Sequence, residues 1–409
     1  MGAPLRMGSE LEGEAADMPD TRFPAGFLWG AATGAHQVEG GNVNNNYWEA
    51  EHRLNSAFVE TSGDACDSYH RWREDLDLLA GVGLNAYRFS LEWSRIEPEE
   101  GEFSRSAVDH YRRMVDGCIE RGLAPVVTLQ HFTIPRWLDR RGGWREPRAP
   151  DWFARYCEMS LPVVADGVEW VCTINEPNMA AMSDSLEAAA AGVAGARPPP
   201  DPGISEALVR AHRQALEVLR SVDRVRAGWT VANQCFQAEP GAEEAAAAWA
   251  YPREDVFLEA AKGDDFVGVQ CYTRVRIGRD GPLPVPDGSE VTLTGWEYWP
   301  EALEDAIRHT WEVTEGMPIL VTENGIATGN DERRIDYTGR ALRGMKLALD
   351  DGIDIRGYIH WSALDNFEWV TGYRPTFGLI AVDRTTFRRT PKPSAHWLGA
   401  IAKANRLPG

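Results

Sequence analysis

Eight short apolar runs, each followed by a stretch patterned for a helix, constrain this 409-residue chain more than any other feature. They lie at 27–33, 84–90, 124–131, 168–175, 226–233, 266–272, 318–324 and 355–361. Stretches such as PVVTL, FVGV and PILVT are almost continuously apolar, the pattern of parallel strands covered on both faces. Parallel strands need long crossovers, and the segments between the runs are long enough to supply helices. In SYHRWREDLDLLAGVG, Trp72, Leu76 and Leu79 recur on one helical face; Asp67 is expected to cap its start and Gly81 to stop it. Ser104, Asp151 and Asp336 read as N-caps of three later helices. Eight β–α alternations predict an α/β fold, a single (β/α)8 TIM barrel. An open doubly wound sheet shares the alternation and is the competing architecture.

The domain reading follows from the same pattern. Residues 1–20, rich in small and acidic side chains, are expected to form a disordered tail, and 21–409 the barrel. No linker interrupts the barrel segment. AAAAGVAGARPPPDPG at 188–203 reads as a low-complexity loop with a stiff, proline-rich end after the fourth strand. GVGLNA at 81–86 mimics a dinucleotide-binding loop, but it precedes a strand and is expected to be a helix-ending turn. Asn42 to Asn46 reads as a solvated loop over the first strand.

Composition excludes some partners. Lys and Arg number 42 against 62 Asp and Glu, a formal charge of −20, which argues against nucleic acid or an anionic membrane surface. No apolar run reaches the roughly 18 to 20 residues of a membrane span. The six cysteines are spaced too widely for a zinc or CxxC redox motif and are expected to be reduced, buried thiols. With no signal-peptide pattern at residues 1–20, the expected location is cytoplasmic. The partner expected is a small molecule, with homo-oligomerisation left open.

A barrel concentrates its chemistry at the C-terminal ends of its strands. The polar residues of these runs gather there: Arg88 on the second strand, His131 ending the third, and Asn175 with Glu176 ending the fourth. Tyr272 ends the sixth, Glu323 with Asn324 the seventh, and Trp361 the eighth. Strands four and seven face each other across an eight-stranded ring, so Glu176 and Glu323 can converge although 147 positions apart. Paired carboxylates in one cleft are the minimal equipment for cleaving a glycosidic bond. About 5 to 5.5 Å apart, one attacks the anomeric carbon while the other protonates the leaving oxygen. A rim ion pair would account for either glutamate alone.

Five motifs in order resemble glycoside hydrolase family 1, the retaining β-glycosidases of the β-glucosidase type: FPAGFLWGAATGAHQVEG, TINEP, VTENG, WSALDNFEW, and GYRPTFGLIAVD followed by PKPSAHW. The resemblance runs from about Phe23 to Trp397. It implies an exo-acting hydrolase of β-glucosides, and of β-galactosides or β-fucosides, with Glu323 as nucleophile and Glu176 as general acid/base. Arg88 and Tyr272 would hold and orient Glu323 as a carboxylate, while the like charge beside Glu176 would raise its pKa. Gln37, His131, Asn175 and Glu368 match the glycone-binding positions, Asn175 toward the 2-hydroxyl, with Trp361 and Trp369 as flat platforms for a sugar. A carboxylate at Glu368 would repel a 6-phosphate.

The chain departs from the family in places. Gln270-Cys271-Tyr272 replaces the usual Asn-Tyr-Tyr, which changes the positioning around Glu323. Phe132 stands where Trp is common and Thr376 where Arg is usual. The chain is also shorter than typical members, so a wider, shallower aglycone subsite is expected. A transglycosidase using the same covalent intermediate, or a catalytically silent sugar-binding barrel, are the competing functions. No metal or cofactor is expected.

Overall fold

The computed structural model describes residues 21–182 and 198–408. The expected tail at 1–20 and the 188–197 part of the expected rim loop lie outside the described residues. Eight parallel strands close a barrel: β1 Leu28–Thr33, β2 Ala86–Ser90, β3 Ala124–Gln130, β4 Trp170–Asn175, β5 Arg226–Ala232, β6 Val267–Gln270, β7 Ile319–Asn324 and β8 Ile355–Trp361. Each strand pairs with its sequence neighbours, and β1 with β8 closes the ring through Leu28 to Gly357 and Ala32 to Trp361. Closure decides against the open sheet.

Strand ends fall within three residues of the apolar runs, because burial on both faces is what the runs encode. Inside the barrel, Ala32, Val126, Trp170, Cys172, Phe266, Leu320, Ile359 and Trp361 pack together. The outer faces of the strands meet a ring of helices: α1 Ser68–Val82, α2 Arg105–Glu120, α3 Ala149–Val164 and α4 Pro202–Leu219. It continues with α5 Glu243–Ala250, α6 Val256–Ala260, α7 Ala302–Val313, α8 Asp331–Asp350 and α9 Pro393–Ala404. Trp72, Leu76 and Leu79 form the buried stripe of α1, as the periodicity predicts.

Helix starts are less faithful to the expectations. Ser104 caps α2, its hydroxyl accepting from the Ala107 N–H at 3.3 Å. Asp67 precedes α1 in the left-handed region (φ 53°) and makes no cap bond; its carboxylate instead bonds His70 and Arg71 at 2.7 and 2.9 Å. The helix ends one residue beyond Gly81, where Gly83 (φ 112°) adopts the left-handed C-cap that a side chain would resist. Asp151 lies inside the first turn of α3, where it complements the helix dipole, because Pro150 extends the start to Ala149. Asp336 is inside α8, which Asn330 caps through a 3.0 Å bond from the Glu332 N–H. Asp336 accepts from Tyr298 and Arg333 instead. Asn42 and Asn45 are buried rather than solvated, and Asn45 caps the short helix Asn46–Glu51 through the Trp48 N–H at 2.8 Å.

Candidate active site

The C-terminal ends of the strands surround a cleft of about 310 Å³. Its walls include His131, Glu176, Tyr272, Glu323, Trp361, Glu368 and Trp369, so seven of the ten expected site residues share one lining. Arg88, Asn175 and Gln37 are fully buried and lie outside that lining. Arg88 bonds Glu323 and Asn175 accepts from Gln270, both of which line the cleft, whereas among the described residues Gln37 bonds no lining residue.

Both glutamates leave strands that lose regular register. β4 pairs Cys172 with Gly228 but Asn175 with Thr230, and β7 pairs Val321 with Tyr358 but Asn324 with His360, so each carries an extra residue just before its strand ends. Such bulges re-aim side chains. Glu176 then adopts a left-handed backbone (φ 46°, ψ 61°), a costly conformation for a non-glycine residue, and its N–H donates to Thr230 O at 2.8 Å. Asn178 locks this turn to β5, donating to Ala232 O and accepting from the Ala232 N–H. Nothing local in the sequence marks Asn178 for that task. On the other side, Gly325 follows Glu323 and Asn324 because a Cβ there would sit 2.0 Å from Trp361 O on β8.

Glu323 is clamped on both oxygens. Arg88 Nη1 donates to Oε1 at 2.5 Å and the Tyr272 hydroxyl donates to Oε2 at 2.5 Å. Burial pushes the Glu323 carboxyl up, while Arg88, Tyr272 and Gln270 pull it back down. The Arg88 guanidinium resists the same burial because Glu323 lies against it. Burial, followed by the charges of Glu323, Glu176 and Glu368, raises the Tyr272 phenol far above its usual range. Arg88 Nη2 also reaches Asn175 Oδ1 at 2.5 Å, tying β2, β4 and β7 together beneath the cleft.

The opposite wall is aromatic. Trp361 and Trp369 both lie near-parallel to His131, with centroids 5.7 and 6.1 Å away and interplanar angles of 15° and 19°. Burial, with Arg88 adding to it, holds His131 well below the ordinary imidazole range and therefore neutral. Glu368 Oε1 accepts from Trp361 Nε1 at 3.3 Å and Asn366 Nδ2 at 3.0 Å. Gln37 Nε2 donates to Phe367 O at 3.0 Å and its Oε1 finds no partner among the described residues. Met179, Met182, Gln234, Val275 and Trp296, from the segments after β4, β5 and β6, also line the cleft and were not singled out from the sequence. Among the described residues no group of three or more His, Cys, Asp or Glu could hold a metal ion.

A parallel eight-stranded barrel with carboxylates and flat aromatic rings around one mouth fits a glycoside hydrolase, and comparison with known proteins gives the class. The sequence model of Glycosyl hydrolase family 1 matches residues 19–261 and 285–407, and the chain belongs to that family. Beta-glucosidase A of Thermotoga maritima is 31% identical over 450 aligned positions, covering 94% of this chain and 99% of the relative. That alignment is longer than the chain itself, so the relative carries the insertions. The crystal structure of beta-glycosidase BGL167 matches with a TM-score of 0.87 and 47% identity over 95% of this chain and 98% of that one. The Thermotoga maritima beta-glucosidase in complex with glucoimidazole matches at 0.86 and 29%, over 95% and 100%. The stretch 262–284, unmatched by the family model, contains Gln270, Cys271 and Tyr272, yet Tyr272 still meets Glu323.

Among the described residues no helix is long and apolar enough to cross a membrane.

Proposed function

We propose that the chain is a retaining exo-β-glycosidase, releasing terminal non-reducing β-D-glucosyl residues by double displacement. Glu323 is the nucleophile and Glu176 the general acid/base. The observation that carries this reading is the clamp on Glu323: one buried cation and one phenol, each on its own oxygen, in a cleft that Glu176 also lines. The family membership and the β-glucosidase relatives support the substrate class.

In the first step a Glu323 oxygen attacks the anomeric carbon while Glu176 protonates the departing glycosidic oxygen. The product is a glycosyl ester, and Glu323 no longer carries charge. Glu176, now a carboxylate free of its charged neighbour, takes a proton from the water that attacks the ester, and Glu323 departs. Gln37, His131, Asn175 and Glu368 hold the sugar hydroxyls, and Trp361 and Trp369 face the apolar side of the ring. Residues 21–409 act as one catalytic domain. The wider aglycone side rests on the shorter loops, and the six unpaired thiols support a reducing, cytoplasmic location.

Azide separates the two glutamates. With an activated aryl β-glucoside, Glu323→Gly plus azide should give the α-glucosyl azide, and Glu176→Ala plus azide the β-glucosyl azide. Near-wild-type hydrolysis by Glu323→Gly would remove the nucleophile assignment. Adding a sugar acceptor to the same assay measures how the intermediate partitions between water and transfer.

A further inference from the structure

Gln270 occupies the place where this chain leaves its family's pattern, and its contacts differ in kind from those of a filler. It ends β6, paired on one side with Ala232 of β5 and on the other with Glu323 of β7. Its Nε2 passes over β5 to donate to Asn175 Oδ1 on β4 at 3.1 Å. Ala232 carries only a methyl, which leaves the space for this reach.

Asn175 Oδ1 therefore faces three donors: Arg88 Nη2 at 2.5 Å, Gln270 Nε2 at 3.1 Å and the Thr230 hydroxyl at 3.2 Å. A guanidinium can only donate, so the amide atom that these three donors share is the oxygen. Its Nδ2 is buried and has no partner among the described residues. The one unsatisfied edge of Asn175 is thus a pure donor, on the residue that immediately precedes Glu176.

We propose that Gln270 is a positioning residue that shares with Arg88 and Thr230 the hold on the Asn175 amide, steadying its plane so that Nδ2 is presented to the oxygen of the sugar 2-hydroxyl. The inference rests on the proposed function, in which Asn175 meets that hydroxyl. A hydrogen bond at the 2-position strengthens as the ring approaches the oxocarbenium-like transition state, so a small loss of orientation is felt in rate. Asparagine at 270 would be one C–C bond shorter, about 1.5 Å, and would fall out of reach of Asn175. Longer reach from β6 is what the replacement supplies.

The test compares kcat/KM for an aryl β-glucoside, its 2-deoxy analogue and the matching β-galactoside. Wild type, Gln270→Met, Gln270→Asn and Asn175→Ala are used. Methionine keeps nearly the length and volume of glutamine without its donor, and thermal midpoints verify that each variant folds. The preference for the glucoside over the 2-deoxyglucoside should shrink about five- to tenfold in both Gln270 variants, the range of one hydrogen bond. The glucoside-to-galactoside ratio should stay unchanged. Asn175→Ala should shrink the 2-position preference on the order of a hundredfold. Equal loss on all three substrates in Gln270→Met, or a wild-type 2-position preference in Gln270→Asn, would overturn the role of Gln270. If Asn175→Ala leaves that preference intact, the assignment of Asn175 in the proposed function falls as well.

Discussion

At the scale of single residues, the cleft sets charged groups against burial, and Glu368 shows how the balance changes a protonation state. Burial pushes its carboxyl up to about 8; Trp361 and Asn366 donate to it and oppose that rise, while Glu323 and Asp365 add to it. The folded chain therefore keeps a proton on Glu368 through a range in which the unfolded chain, with an ordinary value of 4.5, has released it. Since the native state binds more protons there, stability falls as pH rises from about 4.5 to about 8. The thermal midpoint of the wild type should drop more steeply over that span than that of Glu368→Gln, and parallel slopes by scanning calorimetry would refute the assignment. Glu176, Glu323 and Glu368 were legible in the sequence as members of short motifs. The neutral form of Glu368 was not, because it depends on which residues close around it.

At the scale of elements, the strands were readable and the helix starts only partly so. A strand buried on both faces carries its whole signal in its own residues, whereas a cap depends on backbone geometry that several candidates could meet. Ser104 met it; Asp336 lost to Asn330 six positions earlier. Joints between elements left still less trace. Arg334, buried on α8, donates to the carbonyls of Ile326, Thr328, Thr376 and Phe377 and to Asp331, joining the loop after β7 to the segment that follows β8. Thr376, where an arginine was expected by resemblance, offers its carbonyl to that same guanidinium. Arg334→Met strips five partners at once and should cost about 3 to 5 kcal/mol. Urea unfolding would measure it, and a loss under about 1 kcal/mol would show that the joint is held elsewhere.

At the scale of the whole molecule, closure of the barrel turns the distribution of apolar residues into a property of the fold. All six cysteines are buried and free. Burial pushes the thiols of Cys66 and Cys118 up to about 12, so at neutral pH they are protonated as well as inaccessible. A thiol reagent should label none of the six within minutes in the native protein and all six after denaturation; prompt native labelling would contradict this packing. The same closure explains why Trp is abundant without being mainly functional. Of the sixteen, Trp361, Trp369 and Trp296 line the cleft, while Trp29, Trp93 and Trp229 are fully buried packing.

The amino-acid sequence by itself determined the fold class, the positions of the eight strands, the residues at their C-terminal ends and the family. Each of these is carried by local pattern: alternating periods, short apolar runs, and pentapeptides whose order is preserved. Only the tertiary structure decided that Arg88 divides its guanidinium between Glu323 and Asn175, and that both glutamates follow a register shift. It also decided that Gln270 reaches across β5 to bond the amide oxygen of Asn175. These are relations among residues 87 to 235 positions apart. Their energies depend on ångström distances and on exclusion of water, neither of which exists until the ring closes.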